Sequence, residues 1–355
     1  MEGLIFISSA LQQPRHQKRI RLLERNFDLS IFYFYRKKYN LNIGSLEDRA
    51  TLIGRVQDER YFYRLFLLLV LAWRLWGNSA ERVYCTAIDQ ALISVVLGKK
   101  TYLELGDLYQ FSRRGRYLKF FDKFVVPRLS GLVLTSPFYY SGYFLKKFPR
   151  IEGRVRVVEN KLPPEMGEEL MEYRSSLVLG LPERKIRIGI IGSFQSEKPL
   201  RALRELIERR SDLELHIYGS GLLEIFDGVS SCCYHGEFKN PEDLARIYRS
   251  IDVNYVLYDA QDQNVKLALP NKLYESLAYC VPLLVAKNVA LGEVVEALGC
   301  GVATTVDDIE SGIDAICRNY VDYQEKALTL PLEAFVGFDA DQVLDLIRME
   351  SDVSK

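Results

Sequence analysis

Residues 267–285 read LALPNKLYESLAYCVPLLV, a short helix that runs into a buried strand. Pro270 and Asn271 are helix-starting residues, and Lys272 falls in the first turn. A cation there opposes the helix dipole at a cost of roughly a few tenths of a kcal/mol, and a bound anion reverses that cost. Glu275, one turn on, has two carboxylate oxygens for the two hydroxyls of a ribose. At about 100° per residue, Leu273, Tyr274, Leu277, Ala278 and Val281 share one face, with Asn271, Lys272 and Glu275 on the other. One face of any surface helix is polar, so the helix alone leaves a solvated face open beside a phosphate-and-ribose site.

Other residues could serve the same chemistry. Gly192-Ser193 and Gly219-Ser220-Gly221 each end an apolar run, where glycine lets backbone N–H groups approach a phosphate. Tight turns also use glycine, and GSGLLE lacks the third glycine of the dinucleotide pattern. In YLELGDLYQF, Glu104 and Asp107 stand at and just past a strand. A hydroxyl nucleophile needs a base, and Asp107 is the candidate; a hydrogen bond to the nucleophile's carrier or a helix cap at Leu108 are its alternatives. His216 lies within a strand and reads as structural, and His235 at a strand end is left without a role. Cysteines 85, 232, 233, 280, 300 and 317 show no metal-ligand spacing and read as reduced core residues.

The elements that must position these groups alternate. In the first half, strands are expected at 4–7, 27–35, 82–87, 101–105 and 131–136, with helical segments between. In the second half they are expected at 185–193, 213–221, 231–238 and 252–258, followed by the opening segment and a helix–strand pair over 292–304. A last helix over 339–349 starts at an Asp cap. Strands alternating with helices give a parallel sheet covered on both faces, and ligands bind beyond the carboxyl ends of its strands. ENKLPPEMGEEL, at 159–170, reads as a linker, which sets domains at 1–163 and 164–335 and a terminal helix at 336–355.

The 355 residues carry no formal net charge, but residues 1–163 hold 28 Lys and Arg against 14 Asp and Glu, and the remainder holds 19 against 33. A basic half attracts phospholipid headgroups, pyrophosphates or nucleic acid; the two halves could also simply attract each other. In YFYRLFLLLVLAWRLW, residues 61–76, the uninterrupted apolar core from Leu65 to Trp73 is nine residues. Spanning a bilayer takes about 20. That stretch is either a helix packed on the sheet or an interfacial helix. No basic-then-apolar leader opens the chain, which argues against secretion.

PNKLYESLAYCVPLLVAKN closely resembles the donor-site segment of GT-B glycosyltransferases of the group-4-like class. The preceding IYGSG, YHGEF and DLARIYRSIDVNYVLY match in the same order, and the resemblance covers most of residues 185–305. It implies two Rossmann-like domains facing across a cleft, with the C-terminal helix crossing back to the first. It is similar also to bacterial enzymes of capsule and exopolysaccharide assembly.

By that resemblance Glu275 holds the ribose and Lys272 the diphosphate of a UDP- or GDP-linked sugar, with Asn271 and Tyr274 lining the pocket. Gly192 and Ser193 face the phosphates, Lys198 sits where many relatives bind phosphate, and Gly219 and Gly221 approach the nucleobase or phosphates. One departure is clear: many members carry a second glutamate eight positions earlier, and here that position is Leu267, with Asp262 and Asn264 off register. The looser N-terminal match makes Arg15, His16, Lys18, Arg19 and Glu104 acceptor-site candidates. A basic cluster suits a lipid pyrophosphate, and a solvated helix start is its alternative.

The expected activity is transfer of a sugar to a hydroxyl of a lipid-linked saccharide, without a metal or other cofactor, at the inner face of the cell membrane. Nucleic acid is not an expected partner. A GT-B epimerase acting on the nucleotide sugar alone, and a non-catalytic membrane-associated binding protein, remain as rivals.

Overall fold

The computed structural model describes residues 2–36, 46, 48–56, 61–108, 111, 118–337 and 340–349. The chain divides into two compact units, Met1–Glu159 with Asp339–Lys355, and Asn160–Phe338.

Unit 1 carries a seven-stranded sheet in the order β3-β2-β1-β4-β5-β6-β7. Its strands are β1 Gly3–Ser8, β2 Asp28–Arg36, β3 Ala50–Val56, β4 Arg82–Cys85, β5 Lys100–Leu105, β6 Gly131–Leu134 and β7 Val155–Val157. Every pairing is parallel. β1, β4, β5 and β6 read as nearly continuous apolar runs because helices cover both faces. The sequence reading missed β3 and β7. β3 is an edge strand broken by Gly54 and Arg55, and β7 has only three residues, too few for a periodic signal.

Helices α1 Pro14–Glu24, α2 Tyr61–Trp76, α3 Ile88–Val96 and α4 Leu118–Val125 follow in chain order. The terminal helix Ala340–Arg348 also belongs to this unit. Its Val343, Leu346 and Ile347 join Leu4, Phe6, Tyr84, Tyr102 and Val133 in one core, and the Tyr102 hydroxyl donates to the Ile347 carbonyl at 3.2 Å. Asp339, the expected cap, lies outside the described residues.

The 61–76 stretch forms a helix with one buried and one exposed side. Leu67, Leu71 and Leu75, spaced four apart, are buried. On the other side Phe62, Leu65, Phe66, Leu69, Trp73 and Trp76 are exposed, Phe62 at 92% and Trp76 at 80%. α2 and α4 both pack on α3, and α4 exposes Phe120 as well.

Unit 2 carries a six-stranded parallel sheet in the order β10-β9-β8-β11-β12-β13. Its strands are β8 Ile186–Phe194, β9 Leu213–Gly221, β10 Cys232–Gly236, β11 Val253–Val256, β12 Leu283–Ala286 and β13 Gly301–Thr304. The helix Glu197–Arg209 sets Leu200, Leu203, Leu206 and Ile207 against Ile188, Ile190, Leu215 and Ile217. Both sheets reverse strand order beside their first strand, at β1/β4 and at β8/β11. That reversal opens the crevice where doubly wound folds bind ligands.

The helix Asn271–Tyr279 is fixed at its far end by Arg174, a buried residue of the helix Gly167–Ser175. Arg174 donates to the carbonyls of Leu277 (2.8 Å) and Ala278 (3.3 Å). It also donates to those of Ala327 (2.7 Å) and Leu330 (3.4 Å) at the end of the helix Tyr320–Thr329. Its guanidinium lies over the Phe335 ring. Cations at helix C-termini meet the negative ends of two dipoles.

Candidate functional site

In unit 2 the candidate groups gather at the β8/β11 crevice, lined by Ser193, Gln195, Ser196, Tyr255, Tyr258 and Lys272 among others. Gly192 has φ +96°, and a Cβ built there would lie 2.7 Å from the Lys272 Nζ. The ammonium therefore rests on the backbone of β8, and only glycine lets it do so. Gly219, φ +121°, faces Gly192 in register, and its Cβ would lie 2.0 Å from the Gly192 carbonyl oxygen. Pro270 is the N-cap of the 271–279 helix and offers no side-chain cap, so the first N–H groups are left for another acceptor. Asn271 is exposed at that tip. A backbone glycine, an ammonium and uncapped N–H groups together offer a cation and donors to an anion.

Glu275 departs from the sequence reading. Helical periodicity set it on a polar, open face; the structure buries it to 2% exposure, because residues 273–279 are all covered. Asn240 Nδ2 donates to its Oε1 at 3.0 Å and the Tyr248 hydroxyl to its Oε2 at 2.8 Å. Burial, then the neighbouring carboxylate, raises the Tyr248 phenol well above its ordinary range, so it stays a donor. Tyr274 is likewise buried, at 2%, and does not stand on the open tip with Asn271. The sequence reading missed Asn240 and Tyr248, which lie 35 and 27 positions before Glu275 in the chain.

Lys198 sits at the second position of its helix, 76% exposed and 3.9 Å from Asp307. Gly221, at the end of β9, lies against the Phe194 carbonyl. Asp262, one stand-in for the missing glutamate, is committed to capping the short helix Gln263–Leu267 by accepting from Asn264 N at 2.7 Å.

In unit 1 the acceptor candidates divide. Arg15 stays half-exposed, and its guanidinium packs on Gly106, where a Cβ would fall 1.3 Å from Nη1. This brings Arg15 beside the turn that carries half-buried Asp107, 92 positions away in sequence. Lys18 is exposed on α1. Arg19, His16 and Glu104 are corrections. Arg19, 8% exposed, donates Nε to Glu104 Oε2 at 2.9 Å, and the Tyr84 hydroxyl donates to the same oxygen. Burial alone would raise the Glu104 carboxyl, but Arg19 and Arg15 outweigh it and hold it at about 2.

His16 is 1% exposed and is no cation. Burial first, then the charge of Arg15, lowers its pKa to about 3. Its Nδ1 donates to the Ala10 carbonyl at 2.9 Å. One face of α1 thus reads as a basic cluster in sequence because its arginine–glutamate pairing crosses 85 positions and leaves no local signal.

An open hollow lined by Glu2, Asp28, Ser30, Ser79 and Arg82 lies at the amino ends of β1, β2 and β4, the opposite edge from these groups. Among the described residues no helix is long and apolar enough to cross a membrane.

No family model matches the chain. It is 23% identical over 189 residues to the succinoglycan biosynthesis protein ExoL of Rhizobium meliloti, covering 51% of this chain and 47% of that one. It is 24% identical over 180 residues to the O-antigen biosynthesis glycosyltransferase WbnH of Escherichia coli, covering 50% and 48%. The chain thus spans about half the length of the curated relatives it matches.

Among solved structures, sucrose-phosphate synthase of Thermosynechococcus elongatus matches 99% of this chain with 100% of its own, at 13% identity and a TM-score of 0.72. Anabaena HepE in complex with UDP and glucose matches 100% with 98% of its own, at 13% identity and a TM-score of 0.64. The fold is that of the GT-B glycosyltransferases, two Rossmann-like domains in one chain, and the curated relatives are named for exopolysaccharide and O-antigen biosynthesis.

Proposed function

We propose that this chain is a glycosyltransferase of surface-polysaccharide synthesis, in the exopolysaccharide and capsule class. It moves a sugar from a UDP- or GDP-linked donor to a hydroxyl of a lipid-linked saccharide. The observation that carries the reading is the Lys272 ammonium seated on Gly192, beside the uncapped start of its own helix. Those groups take the diphosphate, and they stabilise it as it leaves, with no metal required. Ser193 lines the same crevice; on this reading Asn271 and Lys198 also serve the phosphates, and Gly219 and Gly221 approach the base.

Glu275 takes the ribose. Each carboxylate oxygen accepts one hydrogen bond within the protein and keeps a further lone pair for a hydroxyl. In unit 1, Asp107 is the base that removes the proton of the attacking hydroxyl, and Arg15 and Lys18 hold the acceptor's phosphates. The Arg19–Glu104 pair positions α1 on β5.

Donor binding and transfer are separable. Calorimetry with UDP, UDP-glucose and GDP is expected to show binding of one nucleotide class, weakened at least tenfold in Lys272→Met. Asp107→Asn is expected to keep that affinity and lose transfer to a lipid-linked acceptor. Full transfer by Asp107→Asn removes it as base, and undiminished affinity in Lys272→Met removes the phosphate site.

The exposed apolar stripe of α2 supports a peripheral position at the inner membrane face, with aromatic rings at headgroup depth beside a basic half. Trp73 and Trp76 are the chain's only tryptophans, so their fluorescence reports on α2 directly. Emission is expected to shift to the blue on adding phosphatidylglycerol vesicles and to stay put in Phe66→Glu/Leu69→Glu. No shift in the wild type excludes this docking.

A further inference from the structure

Four groups that the transfer reaction does not use lie on the β9–β10 edge of unit 2. Along β9, Leu213, Leu215 and Ile217 face the core, which puts Glu214 and His216 together on the other face. Along β10, Cys232 packs toward the core, and Cys233 and His235 fall on the face of His216. The parallel register sets Cys233 directly opposite His216. Two i, i+2 pairs on adjacent strands thus bring a carboxylate, an imidazole and a thiol to one point, with their ligand atoms all within 4.8 Å of one another.

The contacts are specific. His216 Nε2 stands 3.3 Å from Glu214 Oε2, and the Cys233 sulfur 3.7 Å from Glu214 Oε1. A tetrahedral ion with N and O ligands at about 2.0–2.1 Å and S at about 2.3 Å sets its ligand atoms about 3.3–3.6 Å apart. His216 is 7% exposed, and its Nε2 is buried with no hydrogen-bond partner. Its Nδ1 lies 3.0 Å from His235 Nε2, and the Tyr218 ring stacks on His235 at 4.3 Å. With Nδ1–H donated to His235, the Nε2 lone pair faces Glu214 and is open to a cation held between them; in the other tautomer Nε2–H donates to Glu214 instead.

We propose that Glu214, His216 and Cys233 form a mononuclear binding site for a transition-metal ion of the zinc class, with His235 orienting His216 from behind. The donor set of sulfur, imidazole and carboxylate suits zinc, and water completes the tetrahedron. Binding converts the Cys233 thiol to thiolate and releases one proton to solvent. The ion bridges β9 to the edge strand β10 and so fixes the start of the loop that carries Asn240 toward Glu275.

The test is cobalt titration of the full chain after chelation. One equivalent is expected to give thiolate-to-cobalt charge-transfer absorption in the near ultraviolet, displaced by zinc. The band is expected to vanish in Cys233→Ser and to persist in Cys232→Ser. His235→Ala, an exposed change that leaves the ligands in place, is expected to keep the band with metal affinity about 10–100-fold weaker. Zinc is expected to raise the melting temperature of the wild type and of Cys232→Ser, and not of Glu214→Gln. Absence of a one-equivalent band in the wild type overturns the site. So does a band that survives Cys233→Ser, or cobalt affinity unchanged in His235→Ala.

Discussion

Each unit buries one glutamate at 2% exposure near the carboxyl ends of its strands, and the two are held differently. Glu104 is met by Arg19 and Arg15 and by a tyrosine hydroxyl. Glu275 is met by an amide and a tyrosine hydroxyl, and no cation pairs with it among the described residues. Glu104 has its charge neutralised inside the fold and stabilises the seat of α1. Glu275 is met only by neutral donors among the described residues. Equal burial thus covers two different settings, cations and a hydroxyl at Glu104, an amide and a hydroxyl at Glu275.

The comparison breaks most readily at Glu104. Replacing it with glutamine leaves Arg19 buried without its counter-ion, and such losses cost about 3–5 kcal/mol. Urea unfolding followed by circular dichroism is expected to show that loss, and a change below about 1 kcal/mol would mean that Arg19 finds water instead. Glu275→Gln is expected to do the reverse. The amide keeps one acceptor for Asn240 and can donate to Tyr248, so the fold loses less than about 1 kcal/mol. A charge-assisted hydrogen bond to ribose contributes about 1.5–3 kcal/mol, so nucleotide affinity is expected to fall roughly 10- to 150-fold by calorimetry.

Acid sharpens the contrast further. Glu104 is depressed to about 2, so its contribution is complete above the ordinary carboxylate range and is lost as pH falls toward 2. His16 is also depressed, from 6.5 to about 3; the folded state keeps it neutral, and stability falls as pH drops from 6.5 toward 3. His16→Gln is expected to remove about one proton from that slope, roughly 1.4 kcal/mol per pH unit. An unchanged slope in pH-dependent unfolding would show that His16 titrates normally.

Much of the fold was legible from the chain because buried parallel strands are continuous apolar runs and their helices carry the matching stripe. β8, β9 and the 271–279 helix were found that way. The family resemblance gave Gly192 and Lys272 to one ligand, and in the structure the two lie against each other. What stayed hidden was long-range pairing. Nothing near Arg19 in sequence announces Glu104, and nothing near Glu275 announces Asn240. The same holds for Cys233 and His216. Each belongs to a two-residue pattern that acquires chemical meaning only when the sheet sets one strand beside another.

The helix that carries Lys272 is held at its opposite end by a guanidinium that donates to four main-chain carbonyls, besides the Cys280 sulfur and the Phe335 ring. Side chains at 277, 278, 327 and 330 can therefore drift, provided they pack, without loosening the anchor. Position 174 has no such freedom: one substitution there releases four acceptors at once. Selection on the Lys272 end of this helix would thus be felt at a residue in a different helix.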